Sequence, residues 1–247
     1  MLFSGRGQTS AEYDEQWKQL DDFIRYNPGA RHRRRLLVNM LRGLSFTSVL
    51  DVGCGPGEVL LTLQRAFPGP LRLHGADFTP ELIQRNKQRF PEMTFSILNI
   101  EQAALPDTFD LVVCSEVVEH LHDRRSAIKH LAAMVASGGH LAITCPSGKV
   151  YATEIEFGHV SHPTTMELQD AAGQSGLRLV KSRMWGWPTY KLLKELTNIR
   201  PEWAMRQFGN GRYGPWKLFV NHALYWANFV NLPSSALGCQ QFLLFQK

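Results

Sequence analysis

The segment at residues 115–121, SEVVEHL, brings two carboxylates and an imidazole close together in the chain. Glu116, Glu119 and His120 are spaced i, i+3 and i+4, so a helix that begins at a strand end would carry them on one face. Carboxylate oxygens with an imidazole nitrogen suit Mg²⁺, Mn²⁺, Fe²⁺ or Zn²⁺. The histidine can also remove the proton of a hydroxyl group as a general base. The segment therefore predicts a divalent metal site or a histidine-base site.

A second chemical feature lies at residues 49–58, which read VLDVGCGPGE. An apolar run ends in an acidic residue, and glycine then occupies every second position: Asp51, then Gly53, Gly55 and Gly57. An apolar, helix-forming run follows at residues 59–67. Because glycine has no Cβ and tolerates positive φ, a ligand can lie against such a turn, and the free N–H groups at the helix start face an anionic group. The pattern predicts a site for a nucleotide-like cofactor between a buried strand and a helix.

The spacing distinguishes between cofactors. A dinucleotide turn, G-x-G-x-x-G, would require a third glycine at position 58, which is Glu58, whereas glycine comes one residue earlier. A second apolar run at residues 71–76 ends in Asp77, about 20 residues beyond the turn, where an acidic side chain can accept both hydroxyls of a ribose.

This combination resembles motif I of the class I S-adenosylmethionine (SAM) methyltransferases, and the resemblance covers roughly residues 47–182. It implies SAM binding by residues in and after the first strands, namely Asp51, Gly53, Cys54, Gly55, Gly57, Asp77, Phe78, Asn99, Ile100 and Ser115. Asn99 stands where the family usually has an aspartate that holds the adenine amino group, and its side-chain carbonyl can accept the same hydrogen bond.

The segment YNPGARHRRRLL resembles the N-terminal helix of ubiquinone-pathway O-methyltransferases. In those enzymes an arginine after an Asn-Pro pair reaches the SAM carboxylate. The resemblance implies this role for Arg33 or Arg34, and the spacing does not decide between them.

The order E-x-x-E-H resembles two methyltransferase groups, the ubiquinone-pathway catechol O-methyltransferases and the small-RNA 3′-end 2′-O-methyltransferases. In the RNA enzymes a further histidine after strand five completes a magnesium site. GHVSHPTTMEL supplies His159 as the first choice and His162 as the second. The resemblance implies a metal set of Glu116, Glu119, His120 and His159, and catalytic roles for His120, His159 and Glu119.

Another interpretation of E-x-x-E-H involves no metal. Many methyltransferases of this fold carry E-H-L after strand four, where the first carboxylate caps a helix or a neighbouring amide. The histidine is then a general base or a packed polar group. A hydroxyl acceptor must lose its proton in either case, which favours a catalytic histidine with or without a metal.

Strands alternate with helices through five strands, which predicts an α/β fold with an open parallel sheet and helices on both faces. The resemblance to the methyltransferases implies a doubly wound, seven-stranded Rossmann-like sheet whose last strand is antiparallel. The expected strands after the first are residues 71–76, 94–98, 109–114, 140–144, 176–183 and 240–245. The expected organisation is an N-terminal helical segment at 1–46, a SAM-binding core at 47–184, an aromatic helical lid inserted at 185–238 and a final strand at 239–247.

The predicted lid is rich in aromatic residues, and its prolines predict several short helices. Strands six and seven flank the acceptor side in this fold, so we expect the insertion to roof that site. Residues 216–232 are apolar and nearly uncharged. A membrane surface is one possible contact, but a lysine-rich face is missing, which favours burial in the lid or in a homodimer.

Composition restricts the remaining options. The net charge is +5, and we expect the basic run RHRRR at residues 31–35 to be mainly a solvated helix face. The four cysteines are scattered without C-x-x-C spacing, and residues 1–10 lack the apolar core of a signal peptide. These features predict a reduced, cytoplasmic protein without a transmembrane segment, with peripheral membrane contact left open.

The sequence therefore predicts a SAM-dependent O-methyltransferase. The expected acceptor is a phenol, catechol or sugar hydroxyl on a small or lipid-linked biosynthetic intermediate. One alternative is an RNA 2′-O-methyltransferase, against which the short basic run and the lack of an RNA-binding module argue. A second is a non-catalytic SAM-binding subunit that stabilises a partner.

Overall fold

The computed structural model describes residues 21–208 and 211–247, and its centre is one seven-stranded sheet. The strands are β1 (Ser48–Val52), β2 (Arg72–Asp77), β3 (Thr94–Ile97), β4 (Phe109–Ser115), β5 (Val135–Pro146), β6 (Arg178–Trp185) and β7 (Gln240–Gln246). Their order is β3-β2-β1-β4-β5-β7-β6, and β7 is antiparallel to both of its neighbours. The other pairs are parallel, which confirms the predicted doubly wound sheet with an antiparallel last strand.

Helices connect these strands and cover both faces of the sheet. They are α1 (Asp21–Tyr26), α2 (Pro28–Leu41), α3 (Glu58–Ala66), α4 (Pro80–Arg89), α5 (Arg124–Ala133), α6 (Ala152–Glu156), α7 (Thr165–Gln174), α8 (Thr189–Thr197), α9 (Pro201–Phe208) and α10 (Pro215–Ala227), with 3-10 turns at Val118–His120 and Asn228–Val230. The part of the predicted N-terminal segment at residues 1–20, including the start at 1–10, lies outside the described residues.

Two element boundaries differ from the predictions for reasons of pairing. β5 begins at Val135 because it pairs with β4 from Phe109 onward, well before the apolar run at 140–144. β6 extends through Trp185, so the first residue of the predicted lid pairs with Gln240 of β7. Backbone hydrogen bonds rather than apolar content determine both ends.

The central strands β1 and β4 are buried on both faces, as their apolar sequences predict. Leu50 packs in a cluster with Leu131 of α5, whereas Val49 packs on the opposite face with Leu41 of α2. The chain turns to opposite sides of the sheet after β1 and β4, so the carboxyl ends of these strands border a crevice, the usual ligand site of such sheets. In the described parts of the chain, no helix combines the length and apolarity needed to cross a membrane.

The basic run at residues 31–35 lies in α2 and is not a solvated face, contrary to the expectation. The guanidinium carbon of Arg31 lies 3.6 Å from the ring centre of Tyr225. Arg34 donates to main-chain oxygens of the preceding segment at 3.0 and 3.3 Å. All five residues are at least partly buried, because α10 and the turn after it pack against α2.

The segment between β6 and β7 forms three α-helices and a 3-10 turn, as its prolines predict. The expected burial of residues 216–232 within the lid is wrong for the large side chains Trp216, Phe219 and Trp226, which are exposed. The reason is that α10 turns one side toward α2 and its other side outward. Burial in a homodimer stays a prediction.

His32 is fully buried in α2 among the rings of Trp185, Tyr225 and Phe229, with ring centres 5.2, 4.5 and 4.8 Å away. Arg35 donates to Nδ1 of His32 at 3.1 Å, and a guanidinium has no acceptor atom. Nδ1 therefore accepts, and Nε2 donates to the carbonyl oxygen of Tyr225 at 2.8 Å. Burial, followed by the charges of Arg35 and Arg31, lowers the pKa of His32 to about 4.

We expect the free energy of unfolding to fall as the pH drops from 6.5 toward 4, because the unfolded chain protonates this histidine while folded His32 stays neutral. The contribution of His32 to the loss at about pH 5 is about 1–2 kcal/mol. Chemical denaturation at neutral and acidic pH should show a smaller difference for His32→Gln, whose side chain does not titrate. Equal pH dependence in both proteins would contradict this role.

Candidate active site

The glycine turn between β1 and α3 has a left-handed backbone at all three glycines, with φ of 72°, 49° and 84° at Gly53, Gly55 and Gly57. A Cβ on Gly53 would lie 2.2 Å from Cγ2 of Val117, in the segment after β4. The N–H groups of Gly53 and Cys54 donate to the carbonyl oxygen at the penultimate position of β2, at 2.7 and 3.0 Å. The turn therefore requires glycine and is tied to both neighbouring strands.

Asp77, at the end of β2, is buried and holds the backbone around it. Its Oδ2 accepts from the N–H of Gly55 at 3.1 Å and its Oδ1 from the N–H of Thr79 at 3.1 Å. Burial raises the pKa of this carboxyl against the effect of those donors. Each oxygen keeps a lone pair, so Asp77 can still accept hydrogen bonds from a ligand.

Asp51 is buried next to this acid and is less well compensated. Its Oδ2 has no hydrogen-bond partner among the described residues. Burial and the nearby charge of Asp77 raise its pKa well above the usual range. A buried carboxylate in this condition favours a proton or a cationic ligand.

The sequence interpretation did not include Asn86 of α4. Its Nδ2 donates to the carbonyl oxygen of Gly55 at 2.7 Å, so this side chain helps to hold the backbone of the glycine turn. Asn86 is buried on the same side of α4 as Leu82 and Ile83. A polar residue on the apolar face of a predicted helix was the signal that could have revealed it.

A cavity of about 540 Å³ opens at the carboxyl ends of β1 and β4. Its lining includes half of the predicted cofactor residues: Gly53, Asp77, Phe78, Asn99 and Ile100. The other five do not belong to the lining: Asp51, Cys54, Gly55, Gly57 and Ser115. Apolar side chains of α1 and of the helices between β6 and β7 also line the cavity: Phe23, Ile24, Leu193, Met205, Phe208 and Leu224.

The two candidate arginines of α2 point to different places. Arg33 lines the cavity, where its Nε lies 3.2 Å from Oε2 of Glu116 and it donates to the hydroxyl of Tyr190 at 3.3 Å. Arg34 instead bonds the main chain of the preceding segment. Of the two, only Arg33 is placed to meet a ligand.

Three of the four predicted metal ligands converge. Glu119, His120 and His159 offer ligand atoms that all lie within 4.8 Å of one another, and we call these residues the Glu119 cluster. Glu119 is fully buried, and neither carboxylate oxygen has a hydrogen-bond partner among the described residues. Burial, followed by the charge of Glu116, raises the pKa of Glu119 well above its usual range.

The ring of His120 has a defined orientation in this cluster. Its Nδ1 lies 3.1 Å from the carbonyl oxygen of Gly158, which can only accept, so Nδ1 carries a hydrogen. Burial lowers the pKa of His120 to about 4, and the ring is therefore neutral near pH 7 with its lone pair on Nε2. Burial also lowers the pKa of His159, whose ring centre lies 4.7 Å from that of His120.

Glu116 does not join the cluster, and the helix expected after β4 does not form. Glu116 has a φ of 59°, and only a 3-10 turn at Val118–His120 follows. Its side chain instead pairs with Arg33 and accepts hydrogen bonds from Thr144 at 3.1 Å and Gln240 at 2.7 Å. The left-handed backbone at Glu116 separates it from the face that a continuous helix would have shared.

His162, the second candidate for the additional histidine ligand, contacts His159 and belongs to a neighbouring group of polar residues. Nδ1 of His159 lies 3.0 Å from Nε2 of His162, and the latter lies 3.5 Å from Oε2 of Glu154. These three residues also have ligand atoms within 4.8 Å, but Lys194 approaches Oε1 of Glu154 at 2.5 Å. The ammonium group already compensates the carboxylate, so this second group is poorly suited to a metal ion. The sequence interpretation did not include Glu154 and Lys194.

Residues 17–182, more than half of the chain, match a family model described as a methyltransferase domain. The chain belongs to this family. Membership confirms the resemblance to class I SAM-dependent methyltransferases, whereas the closer resemblance to O-methylating groups stays a prediction.

Individual relatives agree with this membership. Nodulation protein S of Rhizobium tropici is 32% identical over 117 residues, 45% of this chain and 48% of that protein. Malonyl-[acyl-carrier protein] O-methyltransferase of Acetivibrio thermocellus is 28% identical over 141 residues, 54% of this chain and 49% of that protein. Each of these matches spans about half the length of the relative.

A solved structure extends the similarity of fold over nearly the whole chain. It is the N-methyltransferase NodS from Bradyrhizobium japonicum WM9 in complex with S-adenosyl-L-homocysteine, with a TM-score of 0.59 and 21% identity. The match covers 95% of this chain and 97% of that chain. At this identity the comparison shows the methyltransferase fold alone.

We expect Gly53→Ala to abolish SAM binding in isothermal titration calorimetry, because the new Cβ meets Val117 and the positive φ is strained. Gly173→Ala is the matched control, since it adds a Cβ in α7 where nothing lies within 4 Å. Circular dichroism would establish that both variants fold. Wild-type affinity in a folded Gly53→Ala protein would show that SAM does not depend on this turn.

Proposed function

We propose that this chain is a SAM-dependent O-methyltransferase whose acceptor is a hydroxyl group on a small or lipid-linked biosynthetic intermediate. The observation that carries the proposal is the Glu119 cluster, because two of its members, His120 and His159, line the same cavity as Gly53 of the glycine turn. Family membership supports the cofactor, and the two neutral histidines support an acceptor that must lose a proton.

The residues around the turn fit SAM. When bound, SAM supplies an electrophilic methyl group on a sulfonium leaving group. The left-handed backbone at Gly53 leaves room for the methionine portion, and Asp77 accepts from the ribose hydroxyls. Arg33 lines the cavity and is placed to meet the carboxylate.

Asn99 and Ile100 line the same cavity at the far side of Asp77 and are assigned to the adenine edge. Asn99 Oδ1 already accepts from the N–H of Glu101 at 3.1 Å, which orients the amide. An amide oxygen has two lone pairs, so one remains for an adenine amino group.

His120 is the preferred general base. Its Nδ1 hydrogen is held by the carbonyl of Gly158, which directs the lone pair to Nε2, and burial keeps the ring neutral. The base can thus take a hydroxyl proton as the oxygen becomes nucleophilic, while the walls of the cavity keep the acceptor in line. Glu119 lies beside His120 and stabilises the imidazolium that forms.

The Glu119 cluster also fits a divalent metal. A buried carboxylate whose oxygens both lack donors, next to two neutral imidazoles, is a donor set for Mn²⁺, Fe²⁺, Zn²⁺ or Mg²⁺. Glu119, His120 and His159 would hold it, and Glu116 is left out because Arg33 neutralises it. Such an ion would lower the pKa of a bound hydroxyl as a Lewis acid.

Three other functions can be compared with what the site offers. RNA 2′-O-methylation requires accessible cations for phosphates, but the basic run of α2 is engaged with aromatic rings, carbonyls and Glu116. N-methylation of an amine is supported by the likeness to NodS, and an amine would also need a base. A non-catalytic SAM-binding subunit would have no need of the Glu119 cluster.

We expect His120→Gln to lower kcat by roughly 100- to 10,000-fold while SAM affinity is retained, because the base is lost and the cofactor cradle is not. The rate of S-adenosylhomocysteine release with catechol, phenol and amine acceptors measures kcat. Wild-type activity should persist well below pH 6.5 and fall only toward the pKa of about 4 at which His120 takes up a proton. Full activity of His120→Gln would remove its role as base.

The metal is tested by binding as well as by turnover. We expect electron paramagnetic resonance titrations to show that Mn²⁺ binds the wild-type protein. The Glu119→Gln and His159→Ala variants should lose this binding. Glu116→Gln is the matched control and should keep Mn²⁺, because Glu116 pairs with Arg33 instead. Activity that survives exhaustive chelation, with no bound ion by elemental analysis, would leave the histidine-base site alone.

A further inference from the structure

The outward side of α10 and the turn after it carry a row of exposed aromatic side chains. Trp216, Phe219, Trp226 and Phe229 form this row, which we call the aromatic ridge, and they are 71, 63, 67 and 44% exposed. Trp216 stacks on Phe219 and Trp226 on Phe229, with ring centres 5.7 and 5.3 Å apart. Val230 and Leu232 extend the ridge and are also exposed. Such a contiguous apolar surface indicates a binding partner.

Basic residues outnumber acidic ones in the part of the chain that forms the ridge, and Asp22 of α1 lies near the start of α10, where its Oδ2 accepts from the N–H of Tyr213. Residues 203–247 contain no aspartate or glutamate, whereas Arg206, Arg212 and Lys217 lie within them. The sequence of α2, which packs against α10, is likewise free of carboxylates. Arg31 and Arg35 of α2 are engaged with the rings of Tyr225 and Phe229, at 3.6 and 4.5 Å, and are not counted among the cations available to a ligand. Lys217 lies in α10 itself and Arg212 in the segment before it, so basic residues beside the ridge come from the same stretch of the chain.

The inner side of the same helix belongs to the cavity. Asn221 and Leu224 of α10 line the cavity, as does Gly53 of the glycine turn. One helix thus separates the aromatic ridge from the space assigned to the acceptor. If the ridge contacts a surface, α10 alone lies between that surface and this part of the cavity.

We propose that the aromatic ridge docks on an anionic lipid surface. Tryptophan prefers the boundary between headgroups and acyl chains, and basic residues beside an apolar helix face are attracted to anionic lipids. A symmetric homodimer through the ridge would bring the basic residues beside the ridge against the same residues of the second copy. Repulsion between these like charges opposes such a dimer. Docking would let a lipid-linked acceptor enter the cavity from the bilayer, a consequence that rests on the proposed function. Lipid binding itself does not depend on it.

Vesicle sedimentation tests the proposal on the full-length chain. We expect binding to equimolar phosphatidylcholine and phosphatidylglycerol vesicles, with weaker binding to phosphatidylcholine alone and at high salt. The double variant Trp216→Ser/Trp226→Ser should lower the partition coefficient by roughly tenfold or more. Met166→Ser on α7 is the matched control, an apolar side chain with 70% exposure far from α10 in the sequence, and should bind as the wild type.

Several outcomes would overturn the proposal. They are no binding to either vesicle, binding that the double variant leaves unchanged, or a dimer in analytical ultracentrifugation that the double variant dissociates. SAM titration of the double variant establishes that it is folded, because the ridge lies outside the cofactor cradle. A protein that binds vesicles but methylates no hydroxyl acceptor would contradict the proposed function and not the docking.

Discussion

The contact between Gly53 and Val117 is the constraint on which the site depends. A Cβ on Gly53 would lie 2.2 Å from the Val117 side chain, so the segment after β4 can approach the glycine turn only because that position has no side chain. Val117 directly precedes the 3-10 turn that carries Glu119 and His120. The same close approach therefore shapes the proposed SAM cradle and positions the proposed acceptor side next to it.

Buried acids are the electrostatic consequence of this arrangement. Asp51, Asp77 and Glu119 all lie at the carboxyl ends of central strands, and burial raises the pKa of each. Asp77 is compensated by backbone N–H groups, whereas Asp51 and Glu119 have oxygens without a donor in the described part of the chain. Buried carboxylates without hydrogen-bond donors lower the stability of the fold. They are found most readily where a ligand, a proton or a metal ion binds the free oxygen.

The helices between β6 and β7 connect this chemistry to the outside of the molecule. Tyr190 of α8 contacts Arg33, and Lys194 of the same helix contacts Glu154, so the helical segment is joined to the polar side of the cavity. The same segment also contributes apolar side chains to the cavity, among them Leu193, Met205 and Leu224, and α10 presents aromatic side chains on its outer side. This gradient from a polar reaction centre to an apolar surface suits an acceptor that is itself partly apolar.

The sequence alone determined the order of strands and helices, the glycine turn and the acids that follow β1 and β2, because these depend on local apolar patterns and on backbone conformations that only glycine adopts. It also indicated that Glu119, His120 and His159 belong together. Only the tertiary structure decided that Glu116 turns away from Glu119 and His120. Its positive φ and its pairing with Arg33 of a distant helix leave no signal in the residue spacing. The tertiary structure likewise distinguished Arg33 from Arg34 and placed the α10 aromatics outside, because both outcomes depend on which side of a helix finds a packing partner.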